Sequence, residues 1–326
     1  MFTSSVFLYF AFLVLLCFCF LIGFLLFRFY YKLLNFLYYP EDNNYISVAL
    51  KTVVGAVLLI SFFSIYATNF HTINIIGLAS ILLAPLLNLF NNKNTSNKKT
   101  ENNVSLKEVG ILFGFVSLIF CYHFFLTRFT GDFIYYSKLS TAIFSTGIEN
   151  PSSLYYSYSG IEGIRLYHFG EIWFNSIVIH VFNIHELDAL LFITYPFFHV
   201  LAFVSLFGIA KTHFKSFFIS TVITIALIYG VSVQKLQYLF MVQNDVTWTF
   251  GLPSSCSAKI IMIYPFLFLS FFFLYYKRII IAFSLFISLC FVLYVTSIIP
   301  LFGVLIVLFM FLFFNNRLKI IGNEKL

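Results

Sequence analysis

Long apolar runs alternate with short polar ones along this chain. Residues 5–27, "SVFLYFAFLVLLCFCFLIGFLLF", contain no charged side chain, and runs of the same character recur as far as residue 314. A membrane-crossing helix needs about 20 mostly apolar residues. On that measure the pattern predicts spans near 6–27, 48–68, 73–90, 108–126, 189–210, 216–233, 259–276, 279–297 and 300–314, the last short enough to be tilted or partial. The expected fold class is all-α, a polytopic membrane protein with about nine transmembrane helices. No internal repeat and no soluble domain is visible. The chain divides into 1–107, a three-helix membrane region ending in an Asn/Lys-rich loop, and 108–326, a membrane core with a long loop at 127–188.

The polar runs set the expected orientation. Loop 91–108, "NNKNTSNKKTENNVSLKE", carries Lys93, Lys98, Lys99 and Lys107. Lys and Arg concentrate on the cytoplasmic side of membrane proteins, so this loop is expected there. Counting crossings puts Arg28, Lys32 and Lys51 on the same side and 127–188 on the outer side. Had 171–184 crossed the membrane, the basic "KTHFK" at 211–215 and the pair Lys277 and Arg278 would lie outside, against the rule. The segment is also too short to span.

It is therefore expected to be an amphipathic helix lying on the membrane. On a wheel of about 100° per residue, His168, Glu171, Asn175, Ser176, His180 and Asn183 share one half-turn. Trp173, Phe174, Ile177, Val178, Val181 and Ile184 share the other, while Ile172, Ile179 and Phe182 interrupt the polar side. Trp173 suits an interface.

Composition supports the membrane class. The 326 residues are 61% hydrophobic and 10% charged, with a mean hydropathy of +0.97. Soluble domains carry about 25% charged residues. The net charge of +7 lies in short loops between apolar runs, so it signals orientation and membrane lipids as partners rather than nucleic acid. Of the five cysteines, Cys17, Cys19, Cys121 and Cys290 sit in apolar runs, Cys256 does not, and there is no CxxC pair. Neither a disulfide framework nor a zinc site is indicated.

Candidate chemistry concentrates in the first outer loop. Asp132 follows Gly131 just beyond a span, and "DFIYYSKLSTAIFSTG" has helical spacing through Phe133, Tyr136 and Ile143. A carboxylate at a helix start meets the positive end of the dipole and stays ionised. It can serve as a general base, hold a cation, or simply cap the helix. Glu162, Arg165, His168 and Glu171 recur every three residues. They either pair with one another and with lipid head groups or form a site that grips an anion. Arg165 offers a bidentate fork to phosphate and His168 a donor. Tyr155, Tyr156, Tyr158 and Tyr167 read as an interfacial belt. "HELD" (185–188) can cap the next helix or supply a further carboxylate. Asp245, Trp248 and Lys259 are weaker candidates in the second outer loop. His199 lies inside a span, where an ionisable group is either functional or bonded to a neighbouring helix. No nucleotide or redox-cofactor motif is present.

The order of a span, "GDFIYYSKLSTAIFSTG" (131–147), "YHFGEIWFNSIVIHVFNI" (167–184) and another span resembles the GT-C superfamily of membrane glycosyltransferases. Protein O-mannosyltransferases and lipid A aminoarabinose transferases belong to that superfamily. The likeness covers about 110–215, with "FGE" after His168 where many members carry prolines. It implies transfer of a sugar from a polyprenyl-phosphate-linked donor to a glycan, lipid or protein acceptor on the non-cytoplasmic face of a bacterial inner membrane. By the same resemblance Asp132 is the catalytic residue, acting on the acceptor or helping to hold a divalent metal. Arg165, His168, Glu171, Glu162 and Tyr136 would bind substrate. The rivals are a transporter or flippase, a polymerase of lipid-linked glycans, and a non-catalytic membrane subunit.

Overall fold

The structure, a computed structural model, describes residues 4–34, 44–68, 79, 82, 106–126, 131–147, 169–229, 258–276 and 278–289. These residues form helices α1 (Ser5–Leu34), α2 (Asn44–Thr68), α3 (Leu106–Leu126), α4 (Gly131–Thr146), α5 (Phe169–Phe182) and α6 (Glu186–Ala189). A π-helical segment (Leu190–Thr194) leads into α7 (Tyr195–Phe214), followed by α8 (Phe217–Tyr229), α9 (Ala258–Tyr275) and α10 (Ile279–Ser288). No strand occurs among the described residues. In hydrocarbon each backbone polar group must find a partner within the protein, and a helix provides one locally.

Among the described residues, four helices are long and apolar enough to cross a membrane: Ser5–Tyr30, Asn44–Ala67, Glu108–Phe125 and Glu186–Phe214. They coincide with the spans expected at 6–27, 48–68, 108–126 and 189–210. The expected spans at 216–233 and 259–276 fall on shorter apolar helices, Phe217–Ile228 and Ile263–Tyr275. Only the first part of 279–297 is described, as α10. The expected span at 73–90 lies almost wholly outside the described residues, and 300–314 wholly so.

Local sequence explains the helix ends. Ser4 starts α1, its hydroxyl accepting the Phe7 N–H at 3.3 Å. His185 caps α6 by accepting the Leu187 N–H, also at 3.3 Å; in the "HELD" stretch the cap is thus the histidine, not an acid. The widened π turn precedes Pro196. Proline has no N–H to return to the preceding turn, and the Tyr195 N–H reaches back to the Leu190 carbonyl. Lys215 stops α7 in the left-handed region, at φ 54°.

Helices α1 and α2 pack at backbone distance. A Cβ added at Gly55 would fall on the carbonyl oxygen of Cys19, and one at Gly23 on that of Lys51. Without a hydrophobic drive between helices in lipid, small residues that allow such close packing help decide which helices associate. The core continues through α7, whose Phe197, Phe198, Phe203 and Phe207 are fully buried.

Side-chain contacts fix which helix ends lie together. The Tyr45 hydroxyl donates to Glu108 Oε2 at 2.7 Å, and Lys211 Nζ reaches Glu108 Oε1 at 3.2 Å. The His213 and Tyr275 rings are 5.9 Å apart. The starts of α2 and α3 and the ends of α7 and α9 therefore share one end of the bundle. At the other end Phe124 of α3 meets Phe192 of the π segment, with ring centroids 5.0 Å apart. The chain thus leaves α3 and enters α6 on the same side, as the charge argument requires.

Candidate functional site

Helices α4 and α5 lie between the end of α3 and the start of α6. Their contacts keep the same order along both helices. Asn175 Nδ2 donates to Ser140 Oγ at 3.1 Å, and further on the His180 ring lies over Phe144, with centroids 3.5 Å apart. The two helices therefore run in the same sense, and their first turns face the same way. Asp132 is the second residue of α4 by its backbone. Glu171 is in the first turn of α5. Each acid thus belongs to the opening turn of its helix.

Asn175 is the joint that sets this arrangement. Its Nδ2 also donates to the Glu186 carbonyl at 3.2 Å, and the Thr194 hydroxyl donates to its Oδ1 at 3.1 Å. Ser140 passes its own proton to the Tyr136 carbonyl at 2.9 Å. One amide side chain therefore ties together α4, α5, the start of α6 and the π segment. Asn175, Ser140 and Thr194 are all fully buried. A fully satisfied polar network in a low-dielectric interior rigidifies its surroundings.

Of the sequence-predicted site residues, Asp132 is placed by its backbone alone, and the others divide into two groups. Glu171 and Tyr136 are enclosed, with relative exposures of 0% and 4%. Glu162, Arg165 and His168 lie outside the described residues, as do the four belt tyrosines, Asp245 and Trp248.

The expectation of a surface-lying amphipathic helix at 168–184 is corrected. In α5 every residue from Gly170 to Val178 is buried on both sides of the wheel, and Trp173 is only 1% exposed. Exposure begins at the C-terminal turn, with His180, Val181 and Asn183. The polar side is not open to water because α4, α6 and the π segment cover it, with Asn175 as the link. His180 is exposed at one edge, yet partial burial, with its ring tilted against Phe144, lowers its pKa from the usual histidine value.

A second buried polar contact joins two spans. His123 Nε2 of α3 and His199 Nδ1 of α7 are 2.8 Å apart, with their ring planes at 86°. One nitrogen donates and the other accepts. Of the two sequence readings for His199, the bond to a neighbouring helix is the one observed, and its partner His123 went unremarked in the sequence. The signal available for His123, Asn175, Ser140 and Thr194 was polarity inside apolar runs. It marks a candidate without naming the partner.

Among the described residues no three His, Cys, Asp or Glu side chains converge as metal ligands do. Comparison with known proteins finds no matching family model, no matching curated protein and no matching solved structure. What fold and site define is an all-helical chain with several helices able to cross a membrane and a buried polar joint at one end of the bundle.

Proposed function

We propose that this chain is a multi-pass glycosyltransferase of a bacterial inner membrane, with about nine crossings, acting at the end that holds α4 and α5. The sugar comes from a polyprenyl-phosphate-linked donor. The observation that carries the reading is the parallel, hydrogen-bonded seating of α4 on α5. It brings the two segments of the GT-C resemblance side by side and turns the starts of the helices bearing Asp132 and Glu171 the same way.

In this reading Asp132 accepts the proton of the acceptor hydroxyl. The hydroxyl oxygen attacks the anomeric carbon, the bond from that carbon to the phosphate oxygen breaks, and the lipid phosphate leaves with the electron pair. Charge develops on the phosphate, so the main demand is electrostatic stabilisation. Arg165 and His168, next to α5 in sequence, are the groups suited to supply it. Asp132 provides general-base catalysis, worth roughly 10²–10⁴-fold. Glu171 and Tyr136 are buried within the helix pair.

The test is a gene deletion complemented with wild type, Asp132→Asn or Glu171→Gln at equal membrane expression, read by mass spectrometry of surface glycans and lipid-linked sugars. The expected result is that wild type restores a missing sugar, whereas Asp132→Asn leaves the donor accumulating. Full restoration by Asp132→Asn, or no glycan change on deletion, would sink the reading and favour transport of a lipid-linked solute.

A further inference from the structure

The described charges separate by end. Glu171 lies in α5, Glu186 and Asp188 in α6 and Lys138 in α4, at the end that carries the polar joint. Arg28, Lys51, Lys211, Lys215 and Arg278 lie toward the opposite end, where Glu108 is the acid among the described residues and is held by Lys211 and Tyr45. Within this end one ring contact brings two cation-bearing segments together. His213 and Lys215 are exposed at the α7–α8 turn, Tyr275 is 71% exposed, and Arg278 follows at the start of α10. The ring contact of His213 with Tyr275 joins the two segments. Exposed rings stand within three residues of the cations in sequence: Phe214 and Phe218 by Lys215, and Tyr275 and Tyr276 by Arg278.

We infer that this patch docks anionic phospholipid head groups of the adjoining leaflet. The chemistry is that of an interface. Cations meet phosphates at head-group level while neighbouring aromatic rings enter the acyl boundary. The α7–α8 turn adds the positive end of the α8 dipole beside Lys215. An acidic peptide would match the charge, but it has no use for a fringe of lipid-facing rings. The inference does not depend on the proposed transfer reaction, which lies at the other end of the bundle.

The test is native mass spectrometry of the delipidated full-length protein, titrated with phosphatidylglycerol or with phosphatidylcholine. Wild type is expected to retain phosphatidylglycerol preferentially, and the preference should fall as salt rises. Each surface cation contributes roughly fivefold to association with anionic lipid, so Lys215→Gln with Arg278→Gln should weaken retention by about 25-fold. Lys138→Gln, at the other end, should change nothing. Equal retention of the two lipids by wild type overturns the inference, and so does a loss that Lys138→Gln reproduces. Displacement of the lipid by millimolar inorganic phosphate would also overturn it, in favour of a soluble anion. If the double variant fails to fold, the salt dependence of the wild-type preference decides alone.

Discussion

Helices α2 and α3 look alike as sequence and behave differently as structure. Both are apolar spans with two or fewer charges in their spanning windows. Yet 72% of that window in α2 is buried inside the protein, against 17% in α3. The difference lies in which small residues face a neighbour. In α2, Gly55 meets the backbone of α1; in α3, Gly110 and Gly114 have no atom of the described residues within 4 Å of where a Cβ would stand. Hydropathy therefore selects the segments able to enter a membrane. The choice of partner depends on where backbones can come close and where polar groups need one another.

The hardest way to break this contrast is at Gly55. Alanine there sets a methyl group on the Cys19 carbonyl, and a backbone atom cannot turn aside as a side chain can. Helices α1 and α2 must move apart, giving up contacts along their length. Overpacking costs about 1–3 kcal/mol and sometimes more, and this site belongs at the upper end. In mild detergent, Gly55→Ala should lower the temperature at which the protein ceases to be monodisperse by several degrees or more. An unchanged transition would mean that the two helices are not in backbone contact.

The next effect concerns the polar joint. Asn175→Ala strips Thr194, Ser140 and the Glu186 carbonyl of partners at once. Leaving buried polar groups unsatisfied costs about 1–3 kcal/mol each in isolation, and shared relaxation brings the total to roughly 2–4 kcal/mol. The same heating assay measures it. Asn175→Asp is the sharper probe. It keeps the shape but turns two donors into acceptors facing the Glu186 carbonyl and the Ser140 hydroxyl, so it should be no milder than alanine. If Asn175→Asp matched wild type, the hydrogen bonds would not be what holds α4 and α5.

Much of the fold was legible in the sequence because the membrane imposes a simple rule. Runs of adequate length and apolarity become helices able to span, and 6–27, 48–68, 108–126 and 189–210 fold as such helices. The loop-charge argument also agrees with the contact that puts the end of α3 beside the π segment, since positive charge is read over short loops and needs no tertiary information. What misled was the wheel of α5. Amphipathicity identifies a side that needs polar surroundings, but it does not say whether water or protein supplies them. Here Ser140, Thr194 and a backbone carbonyl supply them, from segments 11 to 35 residues away. The pairing of His123 with His199, 76 residues apart, was out of reach for the same reason. Both histidines were visible as polar points in apolar runs, but only packing brought them together.

The smallest expected effect tests the other side of the opening contrast. Gly110→Ala adds a methyl group where the described residues leave open space. Alanine is the better helix former by up to about 1 kcal/mol, so the variant should be neutral or slightly stabilised in the assay that shows a loss for Gly55→Ala. The same substitution in two apolar helices would then give opposite signs, and the sign would report which face is packed. Gly110 and Gly114 stand four residues apart on one face of α3, a spacing that lets a second helix approach closely. If Gly110→Ala instead destabilises the protein as much as Gly55→Ala, or lowers its mass on size exclusion, the open face of α3 is a helix contact in the assembled protein. The exposure of α3 would then belong to the isolated chain and not to its working state.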